Sequence, residues 1–196
     1  MQYLWRARPQ GLPRAIKYCG RCGRKTEFYC SNSFRVNAQK KTLDVWLIYK
    51  CEVCDATWNV ELYSRVGAGT LEKGLYEGFL KNDAALAARY ALDAAFLAKN
   101  GAEADMDALP FEVEGELPAP DTCGAQVVLE CAFGARLDRL LKEKLCLSRA
   151  AVQRLMETGG IRLAGETQKG IKNLRVKGSV KITLSPAALL APREAE

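Results

Sequence analysis

Two short cysteine motifs, Cys19-Gly-Arg-Cys22 and Cys51-Glu-Val-Cys54, constrain this chain more than any other feature. In each C-x-x-C pair a tight turn can aim both sulfurs at one ion, and two such pairs complete the closed tetrahedral shell that structural zinc takes. Gly23 follows the first pair directly, where the chain of a metal knuckle must turn sharply, and Asp55 stands at the equivalent place after the second. A redox-active dithiol would need a βαβ pattern around it, and neither pair has one. The chain contains no histidine, which excludes imidazole ligands and removes Ser-His-Asp and Cys-His catalysis. The expectation is one structural Zn2+ per chain, held by Cys19, Cys22, Cys51 and Cys54.

Four cysteines remain: Cys30, Cys123, Cys131 and Cys146. Cys30 reads as a strand residue rather than a fifth ligand, because two pairs already fill a tetrahedron. All four are expected to be reduced and buried, free cysteine behaving as a small hydrophobe. The first residues, MQYLWRARPQGLPR, lack the apolar core of a secretory signal. The longest charge-free stretch, Ile182 to Pro192, is eleven residues and holds two prolines, against about 20 apolar residues for a membrane span. A reducing cytoplasmic location with no membrane partner follows, and there paired cysteines bind metal more readily than they form disulfides.

The residues between and after the pairs alternate with period two. Phe34, Val36 and Ala38 form one set, Leu43, Val45, Leu47 and Tyr49 a second, and Trp58, Val60 and Leu62 a third. That is the signature of an antiparallel sheet, with a hairpin at Lys40-Lys41. A small sheet with two metal knuckles at one end is a zinc ribbon, expected over residues 1–66. Beyond it Leu71, Leu75 and Phe79 recur every four residues, and an alanine-rich run from Ala84 to Ala98 follows the capping residues Asn82-Asp83. These predict a helical hairpin packed on the sheet, stopped at Asn100-Gly101. Residues 103–121 are acidic, broken by three prolines, and read as a linker with one short strand around Phe111–Val113. The helical segment and linker together are assigned 67–121.

The remaining chain changes character. Residues 67–133 carry 4 Lys/Arg against 12 Asp/Glu, whereas Arg136 to Lys181 carries 12 against 4. A strand-like run, residues 126–133, leads into Leu137, Leu140, Leu141 and Leu145 at helical spacing. Ser148 caps a second helix carrying Val152, Leu155 and Met156, which ends at Gly159-Gly160. Short strands are expected at Ile161–Leu163, Ile171–Val176 and Val180–Leu184, with turns at Gly165 and Gly178. Arg136, Arg139, Lys142, Arg149 and Lys169 lie off the apolar stripes, so they can share an exposed face for phosphates. This module is assigned 122–186, and a flexible tail 187–196.

The module resembles the S-four RNA-binding domain, which also occurs on pseudouridine synthases and tyrosyl-tRNA synthetases. The resemblance lies in Arg136-Leu137-Asp138 with Leu140-Leu141, in Ser148-Arg149, in Gly159-Gly160-Ile161-Arg162-Leu163, and in Val176-Lys177-Gly178 with Val180 and Ile182. It implies capping roles for Asp138 and Ser148, and an RNA-facing set of Arg136, Arg139, Lys142 and Arg149. Two turns depart from the family's pattern, at Ala164-Gly165 and Gly178-Ser179. The whole chain also resembles a bacterial family catalogued as domain of unknown function 1062, most clearly over FRVNAQKKTLDVWLIYKCEVCDATWNVELYSRV, residues 34–66.

The expected fold class is therefore α+β: a zinc-ribbon sheet, a helical middle and a C-terminal S-four-like module. The expected function is non-enzymatic binding of structured RNA of the ribosomal or transfer class. The alternative is a zinc-stabilised protein–protein adaptor or transcription-associated factor with no RNA role. No phosphate loop or catalytic constellation suggests an enzyme or a small-molecule substrate.

Overall fold

The first strand, β1 (Gln2–Pro9), does not join the strands that follow it in sequence. In the computed structural model, which describes residues 2–39, 41–67, 69–164 and 174–191, the chain divides into two compact units. One is continuous, residues 12–108. The other combines residues 1–11 with 109–196. The expected divisions after residues 66 and 121 do not coincide with these units. The class is α+β, with two five-stranded sheets and six helices among the described residues.

In the continuous unit, β2 (Ala15–Cys19), β3 (Arg24–Gln39), β4 (Thr42–Cys51) and β5 (Thr57–Gly67) form an antiparallel meander. The expected alternation holds in β4, where Leu43, Val45, Leu47 and Tyr49 are all buried. The hairpin expected at Lys40-Lys41 falls in part on Lys40, outside the described residues. β3 carries an irregularity between Cys30 and Phe34, where Asn32 adopts a positive φ of 56°. The Ser31 hydroxyl donates to the Ile48 carbonyl at 2.9 Å across this break.

Three helices cover the buried face: α1 (Lys73–Leu80), α2 (Ala84–Ala91) and α3 (Ala94–Lys99). The alanine-rich run is thus two helices rather than one. Asp93 interrupts it by accepting from the amides of Ala95 and Phe96, because an aspartate competes with the helix for its own backbone donors. Ala87 and Ala91 are fully buried, and Leu97 joins them against Leu47, Tyr49 and Val60. Phe79 packs with Leu43 and Val45. Leu80, next to Phe79 in sequence, is exposed.

The acidic stretch 103–121 is not a spacer. Its start, β6 (Glu103–Ala104), pairs with β2, and its centre, β7 (Phe111–Glu114), pairs antiparallel with β1. Met106, Leu109, Phe111 and Val113 are buried. The apolar residues between the acids are sufficient to anchor the segment, and the charges stay on its outer side.

The discontinuous unit has strand order β7-β1-β8-β10-β9, with β8 (Ala125–Arg136), β9 (Ile161–Leu163) and β10 (Arg175–Leu184). β1 runs parallel to β8 from Gln2–Gln126 to Ala7–Cys131. α4 (Leu137–Leu145) and α5 (Arg149–Glu157) pack together, and Leu137, Leu140, Leu141 and Leu145 are buried as their spacing predicts. Ser148 caps α5 by accepting from the Ala151 amide at 3.1 Å.

Two further expectations change here. Rather than two strands turning at Gly178, one strand runs through it with a bulge, and residues 171–173 and Gly165 lie outside the described residues. The assigned tail begins in α6 (Pro186–Leu189), whose Ala188 and Leu189 are buried, and residues 192–196 are outside the description. No helix among the described residues is long and apolar enough to cross a membrane.

Candidate metal centre

Each cysteine pair sits at the end of a hairpin. β2 ends at Cys19 and β3 begins at Arg24, while β4 ends at Cys51 and β5 begins at Thr57. β2 and β4 run in the same direction on either side of β3, so the meander delivers both turns to one end of the sheet. The two turns close alike: the Gly23 amide donates to the Cys19 carbonyl, and the Asp55 amide to the Cys51 carbonyl, each at 2.9 Å. Both closing residues are left-handed, Gly23 at φ +67° and Asp55 at φ +57°. Glycine adopts this conformation without strain. Asp55 does so with its carboxylate held by the Lys50 ammonium and the Tyr29 hydroxyl. The ammonium keeps the Asp55 carboxyl below the usual carboxylate range.

The four sulfurs lie within 4.8 Å of one another. Cys19 and Cys54 approach to 3.6 Å, and Cys22 and Cys51 to 3.9 Å. A tetrahedron with metal–sulfur bonds of about 2.3 Å has edges of about 3.8 Å. The spacing therefore fits a four-thiolate shell, and the residues can hold a metal ion. Crowding makes their acidities diverge. The Thr26 hydroxyl, 3.3 Å from its sulfur, draws the Cys51 thiol down to about 6, and the Cys22 backbone amide lowers Cys19. Cys22, hydrogen-bonded first to Cys54 and then desolvated, is pushed up to about 12. Neighbouring thiolates so close repel one another unless a cation lies between them.

Two further groups, Thr26 and Arg21, support the cluster. Thr26 is buried beside the sulfurs, at a position alternating with Phe28 and Cys30 on the covered face. Arg21 donates from Nη1 to the Cys54 carbonyl at 3.1 Å, tying one knuckle to the other. The alternation identifies Thr26 as inward-facing, but nothing local reveals Arg21's partner.

Of the remaining cysteines, Cys30 and Cys131 are buried as expected, and burial pushes the Cys30 thiol up. Cys123 and Cys146 are exposed, contrary to expectation. Cys146 follows the last turn of α4 in a left-handed conformation, φ +52°, which turns its side chain away from the core that its apolar neighbours fill.

The five expected basic residues do not form one exposed set. Arg136 makes a bidentate pair with Asp138, Nε to Oδ1 at 3.0 Å and Nη2 to Oδ2 at 2.8 Å. Arg149 reaches the same Oδ2 at 3.1 Å. Asp138 is buried, which by itself raises a carboxyl's pKa, but the bonds from Arg136, the two arginine charges and the Arg139 amide outweigh it and the net shift is downward.

Arg139 is half-buried, with its guanidinium 4.6 Å over the Phe111 ring and Nη2 donating to the Leu109 carbonyl. A neighbouring cation, Lys144, is likewise drawn into the fold by the carbonyls of Val113 and Gly115. Lys142 and Arg149 are exposed, and Lys169 lies outside the described residues. Positions off an apolar stripe need not face water when a distant strand packs beside the helix.

No curated protein and no solved structure matches the chain. A family model described as protein of unknown function (DUF1062) matches residues 36–167, about two thirds of the sequence, including Cys51, Cys54 and the α4–α5 pair. The chain belongs to that family.

Proposed function

We propose that this is a non-enzymatic, zinc-containing cytoplasmic protein that binds structured RNA through the helix pair α4–α5, the first unit being a zinc ribbon and the second an S-four-like module. Zinc is the ion favoured by four thiolates at tetrahedral spacing in a closed, non-catalytic shell. The observation that carries the RNA reading is one of charge. Residues 136–181 hold 12 Lys/Arg against 4 acids, and one of those acids, Asp138, is buried between two of the arginines. Among the described residues of that stretch seven Lys/Arg are exposed against two Glu, a positive surface of the kind that recognition of folded RNA by shape and phosphate contacts requires. Lys142 and Arg149 are the leading contacts, with Arg136 supporting them and Lys169 a further candidate. Arg139 serves the fold.

The adaptor reading draws on a different surface. On the face of the 12–108 sheet away from the helices, Arg14 lies over Tyr29 and Arg35 over Trp46, both at 5.8 Å, and Tyr18 is 60% exposed. Tyrosine, tryptophan and arginine are the residues enriched in protein interfaces.

Crosslinking and sequencing of nucleic acid bound in cells separates the two readings. RNA recovered specifically, with zinc at one per chain, supports the first, and an empty library supports the adaptor. In vitro, about four phosphate contacts give a log–log salt slope of roughly −3 to −3.6. Lys142→Glu and Arg149→Gln should each remove about one unit of that slope, whereas Arg24→Gln in the other unit should leave it unchanged. Equal losses from all three would mean generic basicity and would sink the RNA reading.

A further inference from the structure

Among the described residues, helices of the discontinuous unit cover only one face of its sheet. On the open face, the alternating residues of β1, β8 and β10 place Arg6 beside Glu130 and Glu130 beside Ser179. Here both ladders falter together. The parallel register of β1 with β8 ends at Ala7–Cys131, and the register of β8 with β10 shifts between Val176 and Gly178, so residues 132–134 stand opposite Lys177 alone. Bulges of this kind favour sheet rims and binding sites. Ala132, Gly178 and Ser179 are small, and Gly178 sits at φ +107°. With no large side chain across the middle, an open trough of about 410 Å3 remains, walled by Arg6, Arg8 and Glu130.

The two arginines are oriented rather than consumed. Arg6 donates from Nε to Glu130 at 2.9 Å, and Arg8 from Nε to Glu114 at 3.2 Å. Neither guanidinium has a further partner for its terminal amino groups among the described residues. A guanidinium anchored through Nε and open at its terminal nitrogens is prepared for a planar or tetrahedral oxyanion. Lys181, two residues beyond Ser179 on the same face, is exposed. The residues lining the trough carry two cations, Arg6 and Arg8, against one carboxylate, Glu130, with Glu114 and Glu112 opposite Arg6 and Arg8 on β7 and Lys177 and Lys181 exposed on β10.

We propose that this trough is a binding site for a phosphate group, held by the terminal N–H donors of Arg6 and Arg8 with the Ser179 hydroxyl as a third donor. The phosphate belongs either to a polynucleotide backbone or to a soluble phosphate monoester. The site rests on the open sheet face and not on α4–α5, so phosphate binding is tested apart from the RNA reading above, and only the polynucleotide source of that phosphate rests on it.

The test is a titration of the full-length, metal-loaded, amide-labelled protein with inorganic phosphate, then with adenosine monophosphate. The Ala132, Gly178 and Ser179 amides should shift together and saturate in the millimolar range. Arg6→Gln with Arg8→Gln should weaken binding at least tenfold, and Ser179→Glu should abolish it while both arginines remain. Arg24→Gln, an exposed position in the other unit, should leave it unchanged. No saturable shift at these amides, or equal affinity in the double variant, overturns the proposal. A folded double variant is verified by its remaining amide spectrum, and Ser179→Glu tests the trough without touching the arginines. If the double variant also loses about two units of RNA salt slope, the ligand is a backbone phosphate. If RNA affinity is unchanged while phosphate binding is lost, it is a soluble ester.

Discussion

The two units solve the same problem by different means. Each is a five-stranded sheet which, among the described residues, has helices on one face only. Residues 12–108 are continuous, and consecutive strands pair in sequence before helices fold over them. Their distinctive fastening lies at the end of the sheet, where two turns bring four sulfurs within 4.8 Å. The other unit gathers its strands from both ends of the chain. Its parallel β1–β8 pair joins residues more than 120 positions apart, and its helices are latched by a buried carboxylate between two arginines. One unit is closed by local turns and a metal-ligand cluster, the other by long-range pairing and charge. Loop-closure entropy weighs far more heavily on the second.

The largest test of that contrast is removal of the cluster. Cys22→Ala, or strong chelation, should unfold residues 12–108 and leave residues 1–11 with 109–191 protected, since binding free energy at a four-thiolate site of this type is folding free energy. Amide exchange reads the two units separately. Thiol labelling gives a second readout. The wild type should label at the exposed Cys123 and Cys146, whereas the variant should also label at Cys30, which is buried in the affected core. If both units lose protection together, the comparison of two independent fastenings fails. If neither does, the cluster is dispensable to the fold.

How much could be read beforehand follows the same divide. The alternation of Leu43, Val45, Leu47 and Tyr49, the Asp83 cap and the two C-x-x-C turns are local signals, and the structure places them as their spacing predicts. α4, α5 and the Ser148 cap were legible for the same reason. β1 was not, because Trp5 and Ala7 reveal a buried face only once β8 is known to lie beside them. β7 reads as a strand from its own residues but not as part of a sheet, its partner being more than 100 residues away. The inward turn of Arg139 is hidden from the sequence for a related reason. Helical spacing tells which side of α4 is apolar, but not that Leu109 and Phe111 return to cover Arg139.

The second test weakens the other fastening. Asp138→Asn keeps the side chain's shape but removes the charge that Arg136 and Arg149 share, and should cost the discontinuous unit about 2 kcal/mol. For a unit of this size that is a fall of about 10 °C in its melting step, with the unit of residues 12–108 unmoved. The pH dependence fixes the sign. The folded carboxyl lies below its ordinary value, so its contribution is fully present above about pH 5 and is lost as acidification passes through the lowered pKa. The difference between wild type and variant should therefore shrink below about pH 4. A difference that grew toward low pH would mean that the carboxyl is protonated in the folded protein and that the latch is not ionic.

The smallest test concerns strain, and it too should separate the units. Cys146 and Asp55 both adopt left-handed backbone, φ +52° and +57°, a conformation that costs a non-glycine residue about 1–2 kcal/mol. At Cys146 little offsets that cost. The side chain is exposed, and its thiol makes only a long contact, 3.8 Å, with the Glu143 carbonyl. Cys146→Gly should accordingly stabilise its unit by about 0.5–1 kcal/mol, the relief of strain exceeding the extra freedom glycine gives the unfolded chain. At Asp55 the same change removes the carboxylate that receives Lys50 and Tyr29 beside the metal turn. Asp55→Gly should therefore give no gain or a small loss. Differential scanning calorimetry of the two variants, each read on its own unit's transition, decides it. Stabilisation by both would show that the Asp55 contacts contribute nothing and that the second knuckle is held by its backbone and sulfurs alone.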